Sequence, residues 1–166
     1  MNNNYSQVAR EFEEVVIQIN RVSKKTAGGN QMRFAALVVA GDGKGKVGLG
    51  LGKAPDVVNA IRKATESAKK HAIKVPLVGT TVPCSEMVKL GAAKVLIKPA
   101  PAGSGIIAGG PLRVVFKVAG IRDVVGKILG TNNKISNVYA IMKALENIAK
   151  LVRNKREVQN KHVATA

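Results

Sequence analysis

Gly43-Lys-Gly45-Lys-Val-Gly48 is the stretch of this chain whose spacing comes nearest to a phosphate-handling motif. G-x-G-x-x-G serves dinucleotides where a helix opens at the third glycine and an acidic residue follows about 20 positions later. Here an alternating apolar run follows instead, so the plainer reading is a hairpin whose glycines permit tight turning. A Walker A loop is excluded: Val47 follows Lys46 and Ala54 follows Lys53, where a Ser or Thr must reach magnesium. A second glycine-rich loop, residues 103–110, contains G-x-G-x-x-A and precedes a helix. No strand abuts it, because Pro99 and Pro101 intervene.

Nucleophiles and metal ligands are scarce. Cys84 is the single cysteine, and in an alternating apolar setting it reads as a small core residue rather than a nucleophile. His71 stands near the end of a predicted helix, where bonding to the last carbonyls is the ordinary role. Two His and one Cys, far apart, make no metal site, and the 10 carboxylates form no acid–base pair. No enzyme, cofactor or metal is expected.

The cations are a different matter. The 166 residues carry 27 Lys+Arg against 10 Asp+Glu, a formal net charge of +17. On a chain that is 46% hydrophobic, hence able to bury a core, such charge points to a polyanion. Nucleic acid is the first candidate and an anionic membrane surface the second. Residues 21–74 hold 12 Lys/Arg and 3 Asp/Glu, so the contact is expected there. Aromatics are only 3%, with no Trp, which argues against stacking of unpaired bases. Structured, base-paired RNA, recognised through phosphates and 2′-hydroxyls, fits better. No apolar run approaches the roughly 20 residues of a membrane span. The first residues lack a signal-peptide pattern, so a cytosolic location is expected.

The elements that must position these cations follow from periodicity. Val15, Ile17 and Ile19 alternate with Val16, Gln18 and Asn20, which predicts a half-buried strand over 14–22. Residues 23–30 read as a loop with Lys24, Lys25 and a Gly28-Gly29 tip, and 33–40 as a second strand. Gly41-Asp42-Gly43 is a turn signal. A third strand alternates Val47, Leu49 and Leu51 with Gly48, Gly50 and Gly52, leaving one face without side chains, where a sugar–phosphate backbone would approach closely. Pro55 and Asp56 open a helix. Its packing face is Val57, Ile61, Ala64, Ala68 and Ala72, and its outer face carries Arg62, Lys63, Lys69 and Lys70. Further strands are expected at about 80–90, 94–98 and 124–129, with helices from Pro111 and over 134–152. Asn133 is placed to cap the last helix.

Several of these motifs resemble, in sequence and in order, the family of the fifth protein of the small ribosomal subunit. They are Val16-Ile-Gln-Ile-Asn-Arg-Val-Ser-Lys24, Gly28-Gly29, and Val39-Ala-Gly-Asp-Gly-Lys-Gly-Lys-Val-Gly-Leu-Gly-Leu-Gly-Lys-Ala54. Gly103-Ser-Gly105 through Gly110, Val118-Ala-Gly120 and Ala144-Leu-Glu-Asn147 continue the likeness, which covers about residues 11–150. The chain departs from the family pattern at Asn30, Leu49, Leu51 and Lys134.

The resemblance implies an α+β protein of two domains. The first is a β-β-β-α unit similar to a double-stranded-RNA-binding domain; the second is an α+β domain of the fold shared with some translation factors and small-molecule kinases. The expected organisation is a flexible N-terminus 1–10, an RNA-binding domain 11–74, a C-terminal domain 75–152 and a basic tail 153–166. Family members bind small-subunit rRNA, contact the fourth and eighth small-subunit proteins, border the path along which mRNA enters, and influence decoding accuracy. Within the family, the loop matching Arg21, Ser23, Lys24, Lys25, Gly28 and Gly29 lies near the spectinomycin-binding region. Asp42, Gly43, Gly45, Lys46, Gly48, Gly50, Gly52 and Lys53 match its hairpin motif. All of these but Asp42, Gly43 and Gly45, with Arg33, Lys44, the helix cations Arg62, Lys63, Lys69 and Lys70, and the loop Gly103, Ser104 and Gly105, are the candidate rRNA contacts. A free-standing double-stranded-RNA binder and, by analogy of fold for the second domain, a phosphotransferase are the rival readings.

Overall fold

The computed structural model describes residues 12–164, with side chains over 12–155. The expected flexible segment 1–10 lies outside the described residues. The first half is a four-stranded antiparallel sheet in the order β1-β2-β3-β4, with β1 at Glu13–Thr26, β2 at Gly29–Gly41, β3 at Lys46–Ala54 and β4 at Ile73–Lys74. Helix α1, Val57–Lys70, connects β3 to β4 and lies on one face of the sheet. The second half is a sheet in the order β5-β6-β8-β7, comprising β5 (Glu86–Leu90), β6 (Ala93–Pro99), β7 (Ile106–Ala108) and β8 (Val124–Ile128). Among the described strands only β7 and β8 run parallel. Helices α2 (Gly110–Ala119) and α3 (Lys134–Ala164) pack against this sheet and against each other.

The two halves share a core. One buried cluster runs from Leu37, Val39, Val47 and Leu49 of the first sheet through Val115 and Phe116 of α2 to Ile141 and Leu145 of α3. Helix α2 is the joint, since it touches β1, β2 and β3 as well as its own sheet. The first sheet is therefore covered on both faces, which is why β2 is buried without alternation from Ala35 to Gly41.

Three expectations change here. The strict alternation in β1 breaks at a bulge between Val16 and Gln18; Val15 and Ile17 pack inward, whereas Ile19 is 43% exposed. Cys84 is half-buried in an irregular segment before β5, not in a strand. The last helix continues to Ala164, so what reads as a tail from residue 153 is helical. Its Lys, Arg, Glu and Gln are good helix formers, and neither Gly nor Pro interrupts them. Asn133 caps α3 as expected, its Oδ1 accepting the Ile135 N–H at 3.0 Å.

Candidate nucleic-acid interface

Strand β3 ends at Ala54, opposite Phe34, while β1 and β2 stay paired to Thr26↔Gly29. Residues 22–33 thus form a two-stranded ribbon with no third strand beside it among the described residues. What the periodicity gave as a loop is a hairpin closed by Ala27 and Gly28, and it reaches roughly 17 Å past the sheet. Directly opposed residues share a face, so the register distributes the cations. Arg21, Ser23 and Lys25 stand on one face with Phe34, Met32 and Asn30; Lys24 and Arg33 stand on the other with Gln31 and Val22. The Arg21 Nε donates to Met32 Sδ at 2.7 Å, tying that guanidinium along the ribbon. Gly29 closes the turn at φ +122° and accepts the Thr26 hydroxyl through its carbonyl at 2.8 Å. An isolated hairpin is marginal in water, and this one carries charge on both faces, exposed over residues 23–33 among the described residues.

The side-chain-free face of β3 does not meet RNA. Gly48, Gly50 and Gly52 are buried beneath α1, where a Cβ would collide with the carbonyl oxygens of Ala68, Ala64 and Ala60. The match is geometric: two strand residues span about 6.8 Å and four helix residues about 6 Å, so glycines at i, i+2, i+4 track alanines at i, i+4, i+8. The glycines bring helix and sheet together, and the expected phosphate approach is corrected accordingly.

On α1 the outer cations are all exposed as expected, and one of them is paired. Lys69 Nζ pairs with Glu14 Oε1 at 2.8 Å, and the Thr65 hydroxyl donates to the other Glu14 oxygen at 3.2 Å. Arg62, Lys63 and Lys70 stay exposed, as does Lys53 near the end of β3. The pattern places Lys53, Arg62 and Lys63 toward the ribbon's end of the sheet, and Lys70 toward the other.

The turn between β2 and β3 is a joint. Asp42 Oδ1 accepts the backbone N–H groups of Lys44 and Lys46, each at 2.8 Å. Partial burial pushes this carboxyl up, but those two N–H groups outweigh it and hold it below the usual carboxylate range. The turn then docks on the end of α2: Gly43 and Gly45 donate to the carbonyls of Val118 and Ala119 at 3.1 and 2.9 Å, and Val75 donates to Gly45 at 2.8 Å. Gly120, the α2 C-cap at φ +81°, lies against Gly43 with no room for a Cβ. Lys44 and Lys46 point their charge outward from a turn whose backbone is already engaged.

The second glycine loop is likewise satisfied from within. Buried Asp123 is hydrogen-bonded by the Thr80 hydroxyl and by the backbone N–H groups of Gly105, at 2.9 Å, and Gly103; the Thr80 bond leads in holding its carboxyl below the usual range. Ser104 donates to Pro101 at 3.2 Å. Gly103 and Ser104 are exposed, yet the amides that would cradle a phosphate are occupied by a carboxylate of the protein itself. The backbone of this loop, named above among the candidate rRNA contacts, is thus engaged at Gly103 and Gly105, and Gly103 and Ser104 are its exposed residues.

Residues 12–76 match the family model described as ribosomal protein S5, N-terminal domain, and residues 88–158 match that described as ribosomal protein S5, C-terminal domain. The chain belongs to the ribosomal protein S5 family. Ribosomal protein S5 membership gives it a structural role in the small ribosomal subunit, as an RNA-binding protein of translation. The two matches fall on the two sheets with their helices, the two-part α+β architecture of ribosomal protein S5. Among the described residues no helix is long and apolar enough to cross a membrane.

Sequence reasoning missed Asp123 and Glu14 as residues that shape this surface, and read Asp42 as part of the turn signal without its bonds to Lys44 and Lys46. Asp42 had a signal: an Asp between glycines, two residues before an N–H it can accept, is the pattern of an Asx turn. Asp123 and Glu14 had none, because their partners lie 18 and 51 residues away.

Proposed function

We propose that this chain is a non-catalytic scaffold that binds small-subunit rRNA chiefly through the β1–β2 ribbon, supporting subunit assembly and decoding accuracy in cytoplasmic ribosomes. The observation that carries this reading is the ribbon itself. Arg21 and Lys25 on one face, and Lys24 and Arg33 on the other, extend past the third strand without a carboxylate among residues 15–41. Such a ribbon fits between phosphate backbones, and RNA on both sides would supply the packing it lacks. Exposed Lys53, Arg62, Lys63 and Lys70 extend the cationic surface along α1. These contacts position the protein without reading bases.

The second sheet supports a role for protein neighbours, in our reading the fourth and eighth small-subunit proteins and the border of the mRNA path. Its face away from α2 and α3 carries two apolar pairs, Met87 with Leu96 and Val125 with Ile107, interleaved with lysines: Lys127 lies opposite Leu96 and Lys98 opposite Val125, and Lys89 lies opposite Lys94. Met87 is 55% and Ile107 57% exposed. Exposed apolar side chains of that size, interleaved with lysines, suit a protein surface that carries carboxylates better than phosphates alone.

The test is sedimentation of cell lysate on sucrose gradients at low and high salt, following this protein by immunoblot. Co-migration with small subunits that persists at high salt is the expected result. Release into the free fractions at moderate salt would identify a free-standing double-stranded-RNA binder instead, because a few phosphate contacts weaken steeply with salt.

A further inference from the structure

Strand β3 has a neighbour on its outer side only at its start. Lys46 and Val47 pair with Lys74 and Ile73 of β4, and past them no described strand lies there. On its inner side β3 stays paired with β2 as far as Ala54. From Leu49 to Lys53 the first sheet therefore ends in an open edge, about 17 Å long at strand rise. Half the N–H and C=O groups of such an edge point away from the sheet, and among the described residues no backbone bond from a loop reaches them. Proteins ordinarily blunt an edge with charge, proline or a bulge. Here Lys53 alone supplies charge, at the far end. The rest of the edge is the floor of a groove of about 460 Å³, walled by α1 at Ser67 and His71 and by α3 at Tyr139 and Met142.

The two walls differ in chemistry. Leu49 and Leu51 alternate with the glycines beneath α1, so they face the α3 side and form an apolar surface with Tyr139 and Met142. Tyr139 remains 42% exposed. On the α1 side, Lys63, Ser67 and His71 follow at intervals of four and share a flank, with Lys70 three positions after Ser67. Lys63 and Lys70 are exposed, and among the described residues neither they nor Glu66 between them form an ion pair. Glu146, the carboxylate of the α3 wall, is already bound by Lys150 at 2.9 Å and Lys143 at 3.3 Å, which hold it below its usual range. The groove is thus apolar on one side and carries uncompensated positive charge on the other.

We infer that this groove takes an extended acidic peptide of a partner protein, which adds to the edge of β3 as a further strand in line with β4. The edge offers donors and acceptors in alternation. A peptide backbone matches that alternation, whereas a phosphodiester, which only accepts, would set its charge against the edge carbonyls. A strand seated there sends alternate side chains to opposite sides. One set meets Leu49, Leu51 and Tyr139 and is apolar; the other meets the flank of Lys63 and Lys70 and carries carboxylates. The fitting sequence therefore alternates apolar and acidic residues. This site stands apart from the ribbon, whose binding of RNA neither requires nor covers the β3 edge.

The experiment titrates the full chain with a fluorescein-labelled peptide of alternating Glu and Val, followed by anisotropy, and with the same peptide N-methylated at every residue. Amide hydrogen exchange of the chain is measured with and without the unmodified peptide. Binding of the unmodified peptide is expected, with slowed exchange within residues 49–53. The N-methylated form, which cannot donate to the edge, is expected to bind at least about tenfold more weakly. Lys63→Gln/Lys70→Gln, at two exposed positions that leave the fold intact, is expected to weaken binding about fivefold, as two exposed ion pairs would. No binding of the peptide, equal binding of the N-methylated form, or unchanged exchange over residues 49–53 overturns the inference. So does slow exchange there in the free chain, which would show the edge covered by the chain itself. Slowing brought by a 12-base-pair RNA duplex but not by the peptide would make the occupant a nucleic acid, and slowing that grows with protein concentration would make it a second copy; either result overturns the inference as well.

Discussion

Gly50 on β3 and Ala64 on α1 meet backbone to backbone. A Cβ on Gly50 would strike the Ala64 carbonyl oxygen and come within 2.7 Å of the Ala68 nitrogen. Backbone cannot swing aside as the end of a side chain can, so the helix itself would have to lift.

Gly50→Ala is accordingly expected to destabilise the fold by about 3 kcal/mol, at the upper end of overpacking costs. Gly28→Ala, in the ribbon turn with nothing within 4 Å of the added methyl, is expected to change stability by no more than about 0.5 kcal/mol. Urea denaturation of the two variants checks the contrast. Equal stability of Gly50→Ala and wild type would mean that α1 does not sit so close to β3.

Glu14 offers a prediction with opposite signs for stability and binding. Its pair with Lys69 is more than a third exposed on both sides, and such pairs contribute under about 1 kcal/mol. Glu14→Gln should therefore cost little in thermal unfolding, while releasing Lys69 to face the solvent and tightening RNA binding. Weaker RNA binding in Glu14→Gln would show that Lys69 is not part of the cationic face of α1.

Acid should loosen the two joints. Asp42 and Asp123 both have carboxyls held below their usual values, so folding favours their ionised form. Their contribution is complete above the unfolded value of about 4 and is lost as pH falls through the folded one. The melting temperature of the wild type should drop on acidification below about pH 4. Asp123→Asn should lower it at pH 7 and flatten the acid limb. A melting curve for Asp123→Asn that runs parallel to wild type from pH 7 to pH 2 would sink the assignment.

Lys24→Glu/Lys25→Glu removes one cation from each face of the ribbon. Weakened rRNA engagement or subunit assembly is expected, with a fall in the salt slope of about two contacts in the isolated protein. The single reversals should each have a partial effect, because the residues face opposite ways. Normal assembly together with normal decoding in the double variant would remove the ribbon from the RNA contact.

Much of this molecule is written in short-range pattern. The alternation of Leu49 and Leu51 with glycines predicts β3, the spacing of Ala64 and Ala68 predicts the packed face of α1, and Asn133 announces the start of α3. His71 bonds the Ser67 carbonyl at 2.9 Å, as its place at a helix end implies. The cationic surplus over residues 21–74 is a matter of counting. All of these signals lie within a few residues of what they specify.

What each face meets is a different kind of information. The bare face of β3 admits either a phosphate backbone or a helix, and only the return of α1 over the sheet decides for the helix. Lys69 reads as a free cation until Glu14, 55 positions earlier, closes on it. The Gly105 amide reads as free in the sequence, and only folding brings Asp123, 18 positions later, to accept from it. Periodicity and composition, being local, determined which residues would be strand, helix or charge. Long-range packing decided which charges stay free, because neutralisation depends on partners that the chain brings together only on folding.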